Sequence, residues 1–126
     1  MTDDSRGPFL AWQWSRYPTG HRDRRNLLAH ALTAPLFQAG TVALVVSPVV
    51  SRWLAVLGLG TMAGVMALQG RTHRLEQAAP SPFRGPSDVV ARFFVEQWVT
   101  FPRYVASGGF RQAWQAAAPE RRPSGA

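Results

Sequence analysis

Two long apolar stretches constrain the fold of this chain more than any other feature. Residues 27–46 and 53–70 contain no Asp, Glu, Lys or Arg. Each stretch is close to the roughly 20 helical residues that a membrane's hydrocarbon core requires. Ser47, Pro48 and Arg52 interrupt the apolar sequence between them, as is typical of a turn between helices. The sequence therefore predicts an all-α integral membrane protein with a transmembrane hairpin, 27–46 and 53–70, and a turn at 47–52.

The distribution of charge gives this hairpin an orientation. The chain has 126 residues and a net charge of +7, and all fourteen basic residues are arginine. Arginines lie before the first stretch and after the second, whereas only Arg52 lies between the stretches. The positive-inside rule then places both termini in the cytoplasm. We expect the membrane to be a bacterial-type inner membrane. Nucleic-acid binding is the alternative explanation of the charge, but the sequence contains no nucleic-acid motif, and we expect membrane lipid as the partner.

The rest of the chain is predicted to lie outside the bilayer. Residues 1–26 form a cytoplasmic lead-in, 71–118 a cytoplasmic or interfacial helical region, and 119–126 a disordered tail. Prolines and a glycine exclude a regular helix from about residue 79 to 86. An amphipathic interfacial helix is expected to follow Ser87, with Arg92 and Glu96 on its polar face. Gly60 and Gly64, four residues apart, would allow close helix packing.

All three histidines lie at the outer ends of the apolar stretches. A hairpin would bring His21, His30 and His73 to the same face of the bilayer. The chain has no cysteine, so a transition metal would be held by imidazole and oxygen ligands. Asp23 or Glu76 would then supply a carboxylate ligand or orient a histidine ring. The alternative is a non-enzymatic membrane scaffold or assembly protein, whose histidines are satisfied structurally.

Two short segments resemble a known family. The first runs from Tyr17 to His30 as YPTGHRDRRNLLAH, with an asparagine five residues after His21 and a histidine four residues after that. The second, QGRTHRLE from Gln69 to Glu76, is followed by Pro80. The pattern is similar to that of the small membrane 2-hydroxy fatty acid dioxygenases of the yeast type, of which this chain would be a short, divergent member.

The resemblance implies an activity and a site. It implies Fe(II) held by His21, His30 and His73, with Asn26 and Glu76 in support, and an oxidation that shortens 2-hydroxy fatty acids by one carbon. The substrate would be a lipid-derived carboxylic acid at the cytoplasmic membrane face. Its head group would be bound by one of the nearby arginines, and a homo-oligomer is compatible with the glycine-rich helix. The candidate head-group residues are Arg25, Arg71 and Arg74, and the alternative for each of them is a plain anchor at the membrane interface.

Overall fold

Helices make up all the regular structure in the computed structural model, which describes residues 6–117. A π-helical turn, Glu96–Thr100, joins α4 to α5, and short 3-10 turns lie at Pro18–Gly20 and His73–Leu75. The prediction of an all-α protein is confirmed. The tail predicted at 119–126 lies outside the described residues. The helices are α1 Phe9–Arg16, α2 Arg24–Val50, α3 Arg52–Thr72, α4 Pro86–Val95, α5 Phe101–Ala106 and α6 Gly109–Ala116.

The helices α2 and α3 are both long and apolar enough to cross a membrane. Each begins at a capping side chain: Asp23 accepts a hydrogen bond from the Arg25 amide, and Ser51 accepts one from the Trp53 amide. Large aliphatic side chains on their outer faces are exposed. The exposed residues include Leu28, Leu32, Leu36, Val45, Val49, Val56, Leu57 and Leu59.

The connection between these helices is shorter than the sequence predicted. Helix α2 continues through Pro48 to Val50, so the expected turn at 47–52 is reduced to Ser51 alone. Pro48 has no amide hydrogen for the Leu44 carbonyl, but the Ser47 hydroxyl donates to that carbonyl at 2.7 Å. This replacement bond allows the helix to run four residues beyond the predicted end.

α2 and α3 run side by side in opposite directions. Between their ends they touch at two glycines, Gly40 and Gly58, where an added Cβ on Gly58 would lie 2.5 Å from the Gly40 carbonyl oxygen. At the ends away from Ser51 the Thr72 hydroxyl donates to Asn26 Oδ1 at 2.8 Å. Gly60 and Gly64, the pair suggested by the sequence, have no atom within 4 Å of an added Cβ.

The segment α4 to α5 packs against this helix pair. Phe94 contacts Phe37 edge to face, and the fully buried amides of Gln69 and Gln97 exchange two hydrogen bonds of 2.7 and 3.1 Å. The π-helical turn begins at Glu96, whose carbonyl accepts the Phe101 amide five residues later. Pro102 removes one amide that an α-helix would use there, which favours the wider turn.

Candidate metal centre

Four side chains converge where α2, α3 and the π-helical turn meet. His21, His30, His73 and Glu96 each offer one ligand atom, and these atoms lie within 4.8 Å of one another. His30 Nε2 lies 2.9 Å from Glu96 Oε1, and His21 Nε2 lies 3.4 Å from each of these two atoms. Nitrogen ligands at about 2.0–2.1 Å from one ion stand roughly 3–4 Å apart, so this group could hold a metal ion.

The helix register brings two of the histidines to the same level. The turn predicted at 47–52 is centred near Val49 and Val50. With the turn there, His30 and His73 would differ in depth along the helix pair by about one helical turn. The turn lies instead at Ser51, which is 21 residues after His30 and 22 residues before His73. The two rings consequently lie at the same level and meet edge to face, with their centroids 5.0 Å apart.

Hydrogen bonds to backbone carbonyls fix the orientation of His21 and His30. His21 Nδ1 lies 2.8 Å from the Tyr17 carbonyl oxygen, and His30 Nδ1 lies 2.9 Å from that of Asn26. A carbonyl only accepts, so each Nδ1 carries the hydrogen, and in a neutral ring Nε2 then has a free lone pair. Both lone pairs face each other and the Glu96 carboxylate. One proton can bind only one of these lone pairs, whereas a metal ion can bind both of them and the carboxylate. The two Nε2 atoms and the carboxylate therefore fit a metal ion.

Glu96 is held as a carboxylate in this cluster. Burial alone would raise its pKa, but in the metal-free protein the hydrogen bonds from protonated His21 and His30, and the positive charge that these rings then carry, outweigh burial and hold the pKa of Glu96 well below its usual range. The Tyr17 hydroxyl donates to Glu96 Oε1 at 3.2 Å, and the Tyr17 ring stacks on His21 at 3.8 Å. Burial and the nearby Glu96 charge raise the pKa of Tyr17, so its hydroxyl keeps its proton and continues to donate.

Asn26 and Glu76 lie behind the cluster and join the segments that carry the histidines. Asn26 Nδ2 donates to Glu76 Oε1 at 2.9 Å and to the Gly20 carbonyl at 3.2 Å. The same Glu76 carboxylate accepts the backbone amides of Arg22 and Asp23 at 2.9 to 3.0 Å. Glu76 thus ties the His21 loop to the end of α3 and is absent from the four-residue ligand group.

A cavity of about 420 Å³ opens beside the cluster. His21, His73 and Glu96 form one side of it, and aromatic residues with two arginines form much of the remainder. Trp12, Tyr17, Phe83, Phe93, Arg16 and Arg92 are among its lining residues. A metal ion in the cluster would therefore be reachable by a ligand bound in an aromatic pocket.

The arginines chosen from the sequence lie elsewhere. Arg25 is exposed and pairs with Asp23 at 2.8 Å, and that bond, as the largest influence, lowers the pKa of Asp23. Arg71 and Arg74 are exposed at the end of α3. None of these three arginines lines the cavity. Asp23, proposed as a carboxylate ligand, instead caps α2.

Glu96 is the site residue that sequence reasoning missed. The helical pattern assigned it to a polar outer face, whereas the structure turns it toward the histidines. An acidic side chain within an apolar segment is costly unless it is paired, and that signal alone could have marked Glu96 as a candidate ligand.

Comparisons with known proteins identify no relative of this chain. No family model matches the chain, and no curated protein or solved structure shows significant similarity to it. The resemblance to the 2-hydroxy fatty acid dioxygenases consequently stays a prediction.

Proposed function

We propose that this protein is a membrane-bound, iron-dependent enzyme that oxidises a 2-hydroxy fatty acid or a related lipid-derived acid. The observation that carries the proposal is the convergence of three imidazoles and one carboxylate beside an aromatic cavity. His21, His30, His73 and Glu96 would hold the ion. Two histidines and a carboxylate with open positions form a known ligand set for ferrous iron that reacts with oxygen, and this site adds a third imidazole.

The roles of the chain's own residues follow from their positions. The ferrous ion, when bound, would supply dioxygen chemistry and a Lewis acid for the substrate's oxygen atoms. The aromatic lining, including Phe83 and Phe93, would take the acyl chain and exclude water. Removal of one carbon as carbon dioxide, together with one water, balances the consumption of one dioxygen.

The membrane arrangement is part of the proposal. α2 and α3 would cross the bilayer as a hairpin with both termini cytoplasmic, because arginines flank the histidine end and only Arg52 lies at the other end. The segment from α4 to α6 would lie in the interface. In support, Arg103 stacks on Trp14 at 4.1 Å and Arg24 on Trp114 at 4.6 Å, and arginine and tryptophan suit the headgroup region.

The first test measures iron. Protein purified in detergent under anaerobic conditions with ferrous iron should contain near one equivalent, and His30→Ala, His73→Ala and Glu96→Ala should each lose most of it. Arg71→Gln is the matched control, because Arg71 is exposed and outside the cluster. Oxygen consumption with 2-hydroxyhexadecanoate should then follow iron content across the variants.

Three results would separate the parts of the proposal. Iron binding without oxygen consumption would reject the dioxygenase activity and keep the metal site. The absence of histidine-dependent metal would reject both and favour the non-enzymatic membrane scaffold. Extraction of the protein from membranes by carbonate without detergent would reject the transmembrane hairpin.

A further inference from the structure

Arg92 occupies an unusual position in the wall of the cavity. Its Nη1 donates to the Ser81 carbonyl at 2.8 Å, and its guanidinium lies over the Phe83 ring at 4.2 Å and over the Trp12 ring at 5.2 Å. Its side chain is only 14% exposed. The cation is thus held in place by an aromatic pair and a loop carbonyl.

The charge of Arg92 is incompletely neutralised. Two carboxylates act on it, but both have other partners: Asp88, at 3.9 Å, forms two hydrogen bonds of 2.8 and 3.1 Å with Arg6, and Glu96 is paired with the histidines of the cluster. Arg92 Nε and Nη2 donate no hydrogen bond to any residue within 6–117. Burial lowers the pKa of Arg92, as expected for a cation withdrawn from water without a full partner. The site therefore has an unused positive charge and free donors.

Arg92 also lies close to the metal cluster along the chain. It precedes Glu96 by four residues, so the two side chains leave the same helical face one turn apart. Both line the same cavity, together with His21 and His73. An anion bound to Arg92 would consequently stand at the edge of the cluster, with its apolar part against the aromatic wall.

We propose that Arg92 binds the carboxylate of an anionic single-chain amphiphile in this cavity. This inference rests on the proposed function and identifies the residue that selects the substrate's head group. A guanidinium presents parallel N–H donors that match the two oxygens of a carboxylate, and this match distinguishes an acid from a neutral alcohol of the same length. Arg16 also lines the cavity, but it is exposed, so water and salt screen its charge more strongly.

The test compares an acid with an alcohol on metal-free protein. The full chain is placed in phosphatidylcholine nanodiscs, and dissociation constants for octanoate and octan-1-ol are measured by calorimetry against empty nanodiscs. The wild-type protein should bind octanoate about tenfold or more tightly than octan-1-ol. Arg92→Met should weaken octanoate binding about tenfold and leave octan-1-ol unchanged, whereas Arg92→Lys should show an intermediate effect. Arg71→Gln, the exposed control, should match the wild type.

The measurement does not depend on catalysis. Equal affinities of the wild type for octanoate and octan-1-ol would overturn the proposal even if the Arg92 variants failed to fold. Unchanged octanoate binding in a folded Arg92→Met protein would overturn it as well. Because no metal or oxygen is present, failure of the dioxygenase proposal would appear in the iron and oxygen assays, while failure of the carboxylate site would appear only here.

Discussion

Gly58→Ala should separate the two long helices and destabilise the protein. The added Cβ would lie 2.5 Å from the Gly40 carbonyl oxygen and 3.0 Å from the Leu44 amide nitrogen. Both are backbone atoms, so no side chain can rotate away. Ordinary contact, about 3.4 Å, would require the helices to move apart by about 0.9 Å at this crossing.

The size of the effect follows from two opposing contributions. Overpacking of this kind costs about 1–3 kcal/mol, and the rigid backbone contact places Gly58→Ala near the upper value. Alanine stabilises the helix by up to about 1 kcal/mol through its higher helix propensity, so the free energy of unfolding should fall by about 2 kcal/mol in total. Gly64→Ala is the matched control, because its Cβ meets no atom within 4 Å and only the propensity gain applies.

Thermal unfolding followed by circular dichroism in one detergent, at one scan rate, measures the difference. The two variants should differ by about 3 kcal/mol, which corresponds to roughly 10 °C in Tm for a chain of this size. The close contact of α2 and α3 at Gly58 would be refuted if Gly58→Ala melted at or above the temperature of Gly64→Ala.

Two further predictions concern the metal cluster and the amino-terminal segment. Tyr17→Phe removes the hydroxyl that donates to the ligand carboxylate but keeps the ring stacked on the histidine, so metal affinity in a chelator competition should fall about 10–100-fold. Tyr104→Phe, at a neighbouring buried ring, should leave the affinity unchanged, and equal losses in both variants would contradict the positioning role. The Arg6 guanidinium lowers the pKa of Asp88 to about 2, so this carboxylate stabilises the fold above pH of about 4 and ceases to do so as the pH falls toward 2. The stability difference between wild type and Asp88→Asn should therefore be about 1 kcal/mol at pH 5, be reduced to a small fraction of that at pH 2 and vanish only below it, and a difference independent of pH would exclude this ion pair as its source.

Local chemistry made several parts of the fold predictable. The helical stretches followed from uninterrupted apolar sequence, and the prolines and glycine predicted a non-helical segment at about 79–86, which the structure has at 76–85 with Pro86 opening α4. The exact ends of the helices were harder to predict. Pro48 predicts a break when it is read alone, but the Ser47 hydroxyl supplies the hydrogen bond that the proline removes.

The metal cluster was predictable only in part, for a physical reason. His21, His30 and His73 could be grouped because an antiparallel helix pair returns its two outer ends to the same place. Glu96 could not be assigned in this way, because the partner of its helical face depends on the packing of α4 against the helix pair. The amphipathic pattern alone assigns it, together with Arg92, to a polar face turned toward solvent.

The sequence by itself determined the helical class, the two long apolar helices and the three imidazoles at one end of them, since these depend on local composition and on spacing along a helix. Only the tertiary structure decided which carboxylate joins the imidazoles, which glycines touch and which arginine lines the cavity. Those features depend on the rotation of each helix about its own axis, and that rotation is fixed by contacts between residues far apart in the chain, such as Gly40 with Gly58 and Gln69 with Gln97.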